Sequence, residues 1–165
     1  MINLQSKTDC CGCNACCDAC PTGALSCSRD SGGFLYPALD KSLCIKCGKC
    51  LAACPMLNAR RIRESNPIKE PEVYAAIAND LSVRFDSTSG GLFSAFAEYA
   101  FSRNGFVGGA VWEDSYLVRQ VVTDCPADLP RLRSSKYAQS NSVGFYKAVL
   151  GALETGRMVI VCGLP

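Results

Sequence analysis

Apolar and polar positions divide the chain into two differently patterned stretches. In the first, Ala24 to Arg29 and Phe34 to Leu39 read as short strands, joined through Asp30-Ser31-Gly32-Gly33. Such a turn-rich connection predicts a β-hairpin. From Pro55 to Pro71 the chain is punctuated by proline and charged, with Arg60, Arg61, Arg63, Lys69 and Glu70. That stretch predicts a linker, with room for one helical turn.

The second stretch opens with Val73 to Ala78, an apolar run predicting a buried strand. The chain then turns polar through Asn79, Asp80 and Asp86 into Ser87-Thr88-Ser89-Gly90-Gly91, and Leu92 to Phe101 follows as an apolar helix. Phe106 to Trp112 and Leu117 to Thr123 predict a strand pair turning at Glu113-Asp114-Ser115. Val143 to Leu153 is amphipathic at helical spacing, ends at Gly156 and leads into the strand Met158 to Val161. Strands alternating with helices predict an α/β sheet flanked by helices. The expected fold class is therefore α+β, divided into a head at 1–58, a linker at 59–72 and an α/β body at 73–165.

Composition sharpens the division, because eleven of the thirteen cysteines lie in the first 54 residues. Eight of them form a doubled run: Cys10, Cys13, Cys16 and Cys20-Pro21, then Cys44, Cys47, Cys50 and Cys54-Pro55. This is the ligand spacing of a ferredoxin with two [4Fe-4S] clusters, in which the fourth cysteine of each run serves the other cluster. The first cluster is assigned to Cys10, Cys13, Cys16 and Cys54, and the second to Cys44, Cys47, Cys50 and Cys20. Interlocked centres of this kind carry single electrons, and the hairpin is expected to cover one face of them.

Zinc and disulfides are the competing uses of so much cysteine. Zinc commonly takes two separated pairs, which leaves a third cysteine and a following proline unexplained in both runs. A disulfide framework goes with a secretory leader, and Met1 to Asp9 is too polar to read as one. Cys11, Cys17, Cys27, Cys125 and Cys162 fall outside the spacing and are expected to be spare or buried thiols, with Cys11 able to replace Cys10 if the turn shifts by one residue.

A net charge of +2 gives no reason to expect nucleic acid, and no run is long and apolar enough for a membrane helix. The expected setting is a reducing, cytoplasmic compartment. Arg60, Arg61 and Arg63 either steer an acidic redox partner or form a solvated face. Lys41, Lys46 and Lys49 lie close in sequence to the second run and are expected to favour its reduced state. With no histidine in the chain, histidine acid–base catalysis is excluded.

In the body, Ser87 to Gly91 reads equally as a phosphate-holding helix start or as a plain N-cap. Arg131 to Ser140 is dense in donors and reads either as a clamp for a dinucleotide phosphate or flavin edge, or as a solvated loop.

Three segments behind the doubled run carry a resemblance: Ser89-Gly90-Gly91-Leu92-Phe93-Ser94-Ala95, Ser135-Lys136-Tyr137-Ala138-Gln139-Ser140, and the last apolar strand running into Gly163-Leu164-Pro165. In this order they resemble the beta-subunit family of coenzyme F-420 hydrogenases and dehydrogenases. The resemblance implies an oxidoreductase in which a ferredoxin head exchanges electrons with FAD, and FAD with a deazaflavin or another small-molecule acceptor. It also implies a redox partner protein or subunit, and flavin contacts from Ser89, Gly90, Gly91, Ser135, Lys136 and Gln139. Family members continue with threonine, proline, cysteine and glutamine where this chain has Leu164-Pro165, so only the first part of a flavin domain is expected. The alternative function is a non-catalytic two-cluster electron carrier.

Overall fold

The computed structural model describes residues 7–65 and 72–163, in two compact units that divide between Glu72 and Val73. The first unit opens with a single 3-10 turn at Lys7–Asp9 and continues into α1 (Ala15–Asp18). Next come β1 (Leu25–Arg29) and β2 (Leu35–Leu39), an antiparallel pair in which Cys27 faces Pro37. Proline is tolerated there because both strands of a two-stranded ribbon are edges. Asp30 shapes the turn as expected, its Oδ1 accepting from the Gly32 and Phe34 amides at 2.9 and 3.0 Å.

Beyond the hairpin lie α2 (Lys49–Ala53) and α3 (Ala59–Ser65). Asn58 secures the end of α2, its Nδ2 donating to the carbonyls of Leu51 and Cys54 at 2.7 and 2.8 Å. The seven-residue α3 corrects the expected linker, which allowed one helical turn. Arg60 and Glu64 sit four apart and pair at 2.8 Å, an arrangement that supports an exposed helix. The remainder of that expected linker, 66–71, lies outside the described residues.

The second unit corrects another expectation. Val73 to Ala78 belongs to no strand, and Val73 and Ile77 are 87% and 58% exposed. Its apolar run is extended backbone with a bond from the Ala78 amide to the Gly90 carbonyl at 2.7 Å, not a rung of the sheet. The short α4 (Leu81–Phe85) follows, N-capped by Asp80, which accepts from the Ser82 amide. Then come α5 (Leu92–Phe101), β3 (Phe106–Trp112) and β4 (Val118–Thr123), all close to their expected bounds.

After β4, a 3-10 turn (Pro126–Asp128) leads into α6 (Leu129–Leu132) and the two-residue β5 (Ser140–Asn141). The chain closes with α7 (Phe145–Glu154) and β6 (Val159–Val161). The sheet runs β5-β4-β3-β6: β3 pairs antiparallel with β4 and parallel with β6, and β4 parallel with β5. Alternation along β3 sends Val107 and Val111 into a core with Ala97 and Ala100 of α5 and Leu129 and Leu132 of α6. On the opposite face, a Cβ at Gly108 would stand 3.2 Å from the Phe145 ring of α7. The sheet is thus flanked by helices on both faces, as the alternating elements predicted. Among the described residues, no helix is long and apolar enough to cross a membrane.

Candidate metal centre and the second-unit cleft

The two cysteine runs fold alike. Counting from the first cysteine of each, the second and fourth following residues have left-handed backbones: Gly12 (φ 69°) and Asn14 (φ 60°), then Lys46 (φ 56°) and Gly48 (φ 77°). Two left-handed residues in alternation curl each short run around its own cysteines before the helix begins. Asn14 and Gly48 are the residues on which α1 and α2 start.

Cys20, Cys44, Cys47 and Cys50 line one cavity, partly open to solvent, together with Thr22, Leu25, Leu39, Ile45 and Gly48. Thr22 ties its two sides, donating from Oγ1 to the Leu43 carbonyl at 2.9 Å and lying 3.7 Å from Cys20 Sγ. So the fourth cysteine of the first run stands with the first three of the second.

At the other end Cys54 packs with Cys16 and lies near Cys10. Burial pushes the Cys10 thiol up, the Gly12 amide 3.4 Å away works against that rise, and the sulfurs of Cys11, Cys16 and Cys54 add to it. Burial likewise pushes Cys13 to about 11, with Cys11 and Cys16 as its sulfur neighbours. Cys16 is instead lowered to about 7, chiefly by a hydrogen bond from the Cys17 thiol. Cys54 is 8% exposed and packs with Cys16, Cys17 and Leu25.

Among the spare thiols, Cys17 and Cys27 face each other with sulfurs 3.1 Å apart in the same apolar cluster. Cys11, Cys125 and Cys162 are exposed. Among the described residues, no three Cys, Asp or Glu side chains stand close enough to hold a single metal ion between them. The thiols of the second run line a cavity instead, and a cubane is a body that fills space between ligands. The donor set, all sulfur with no histidine, suits iron-sulfur chemistry. Asn14 also fits such a group: it is 2% exposed, and neither its amide nitrogen nor its amide oxygen has a protein partner.

In the second unit, Ser89, Gly90 and Gly91 line a solvent-open cleft with Ser87, Thr88, Arg133 and Ser134. The N-cap of α5 is Gly91, with no side-chain cap, which corrects the simple Ser or Thr capping reading; the Ser87 hydroxyl donates to the Val83 carbonyl instead. Gly90 is required by packing, since a Cβ there would stand 2.9 Å from the Ala76 carbonyl oxygen.

The other expected flavin contacts do not line this cleft. Lys136 donates from Nζ to the Arg131, Leu132 and Arg133 carbonyls at 2.9, 3.1 and 2.6 Å, closing the end of α6. Burial lowers its ammonium pKa. Ser135 and Gln139 lie on the following loop, outside the cleft lining. Arg133 lines the cleft instead. It donates to Ser94 Oγ and pairs with Asp86, both at 2.9 Å. The donor-rich stretch contained Arg133 and the Ser89 to Ala95 segment contained Ser94, but only the turn after α6 brings the two together.

Paired left-handed cysteine loops beside a two-stranded ribbon describe an iron-sulfur protein of the ferredoxin class. Comparison agrees: the profile of the family described as 4Fe-4S dicluster domain matches residues 36–83. An uncharacterized ferredoxin of Methanocaldococcus jannaschii is 40% identical over 69 residues, covering 42% of this chain and 87% of that ferredoxin. The chain belongs to the ferredoxin family, through a 4Fe-4S dicluster domain.

Proposed function

We propose that the first unit is a two-cluster electron relay, with Cys10, Cys13, Cys16 and Cys54 holding one [4Fe-4S] cluster and Cys44, Cys47, Cys50 and Cys20 the other. The placing of the fourth cysteines supports this reading above all: Cys20 lines the cavity of the second run, while Cys54 packs with Cys16 of the first. Each cluster supplies reversible one-electron storage. The protein keeps the ligands in register through the curled loops, and Thr22 and Asn58 brace the segments that carry Cys20 and Cys54. A redox partner protein supplies or takes the electrons.

A second reading, that the second unit holds FAD and passes electrons on to a deazaflavin or other acceptor, is favoured by the cleft at the start of α5. There the glycine N-cap leaves the helix start without a side-chain cap, and Arg133 provides a cation at its wall. Ser89, Gly90, Gly91 and Arg133 are the contacts this reading uses. Ser135, Lys136 and Gln139 would act by shaping the loop after α6.

Iron, sulfide, zinc and flavin are to be counted per chain on protein purified without oxygen, with visible spectra before and after dithionite. About eight iron and eight sulfide with bleaching on reduction is the expected result for two clusters. Bound flavin in addition supports the oxidoreductase reading, and iron without flavin supports the carrier alone. Zinc without sulfide overturns both.

A further inference from the structure

We propose that the Asn14 side-chain amide donates an N–H hydrogen bond to the sulfur of the first cluster and raises that cluster's midpoint potential. The inference rests on the two-cluster reading above and adds to it an inequality between the centres. Asn14 lies between Cys13 and Cys16 and is 2% exposed, yet its Nδ2 and Oδ1 find no partner in the protein. A buried amide left unpaired is costly, so its retention calls for a partner that the polypeptide does not supply.

The repeat shows where that partner lies. Gly48 occupies the same place in the second run, with the same left-handed backbone, and it lines the cavity shared by Cys20, Cys44, Cys47 and Cys50. A Cβ built at Gly48 meets nothing within 4 Å. A side chain at this position of the loop therefore enters open space where the backbone borders the cysteine cavity. At Asn14 such a side chain is present, and it ends in an N–H donor.

Asparagine is also one of the few residues other than glycine that sits readily in the left-handed region, so backbone need alone does not separate the two. What separates them is the amide. Hydrogen bonds to cluster or cysteinyl sulfur stabilise the more negative, reduced state, which raises the potential. The buried Asp18 carboxylate acts on Cys16 in the opposite sense and the exposed Lys46 stands near the other set. The test is therefore the shift on substitution, not which cluster is reduced first.

Both midpoint potentials are to be measured by EPR-monitored titration of the cluster-loaded chain, for wild type, Asn14→Gly and Gly48→Asn. Asn14→Gly is expected to lower one potential and leave the other within error at unchanged iron content, and Gly48→Asn to raise the potential that Asn14→Gly leaves alone. Pulsed EPR on reduced protein carrying ¹⁵N-labelled asparagine is expected to show a hyperfine coupling that Asn14→Gly abolishes. If Asn14→Gly loses iron, Asn14→Ala, which removes the amide donor without adding a charge, is to show the same lowered potential. Unchanged potentials at full iron, equal shifts of both clusters, or no ¹⁵N coupling overturns the proposal. A wild-type chain with well under about eight irons removes the two-cluster reading and this inference with it, a failure distinguishable from the others.

Discussion

Lys46 carries two separable properties on one residue: a left-handed backbone at φ 56° and an exposed ammonium in a loop that lines the second cysteine cavity. Lys46→Glu changes the charge while keeping a non-glycine residue there. A nearby anion disfavours adding an electron, so the variant is expected to lower the second cluster's midpoint potential, and more so at low ionic strength, where screening is weakest. Equal potentials within error would make Lys46 a solvated side chain without influence. Cys54 offers a sharper contrast. Cys54→Ala should halve the iron to about four per chain, sparing the cluster of Cys44, Cys47, Cys50 and Cys20. Loss confined to that cluster instead would reverse the assignment. The eight cysteines of the two proposed ligand sets stand out in the sequence because spacing is a local property. Asn14 does not stand out there, and Lys136 does so only as a flavin contact, because burial and the carbonyls within reach are settled only on folding.

Elements were legible where local pattern and tertiary need agree. The Leu92–Phe101 helix and the β3-β4 pair are long enough for periodicity to settle them, and each has a packing partner in one shared core. Val73 to Ala78 failed for the converse reason: six apolar residues do not specify whether a neighbouring strand exists, and the sheet ends at β5 and β6 without them. The extended run packs instead by close approach, with Gly91 so placed that a Cβ would be 3.1 Å from the Ala78 side chain and 3.2 Å from Val83 of α4. Across the same corner Arg133, its side chain 15% exposed, joins Ser94 of α5 to Asp86 after α4. Arg133→Met keeps the apolar stem but leaves the buried Ser94 hydroxyl without that donor. An unpaired buried hydroxyl costs about 1–3 kcal/mol, so the urea midpoint of the second unit should fall accordingly while iron content stays constant. An unchanged midpoint would mean that Ser94 finds another partner or that the bond contributes nothing net.

At the scale of the whole molecule, the two units are held together by different means. The second has a continuous apolar core of Ala97, Ala100, Val107, Val111, Leu129 and Leu132 between sheet and helices. The first buries Leu25 with Cys16, Cys17 and Cys54, so much of its interior is cysteine sulfur. A domain of that size rarely obtains enough stability from its core alone, and metal binding then becomes part of its folding free energy. Calorimetry of the cluster-loaded chain should accordingly show two transitions. Removing iron anaerobically with a chelator should abolish or strongly lower the transition of the first unit, while the second keeps its midpoint because no ligand cysteine lies beyond Cys54. A loss of both transitions together would show that the second unit draws its stability from the clusters, and its own core would then be insufficient to account for it.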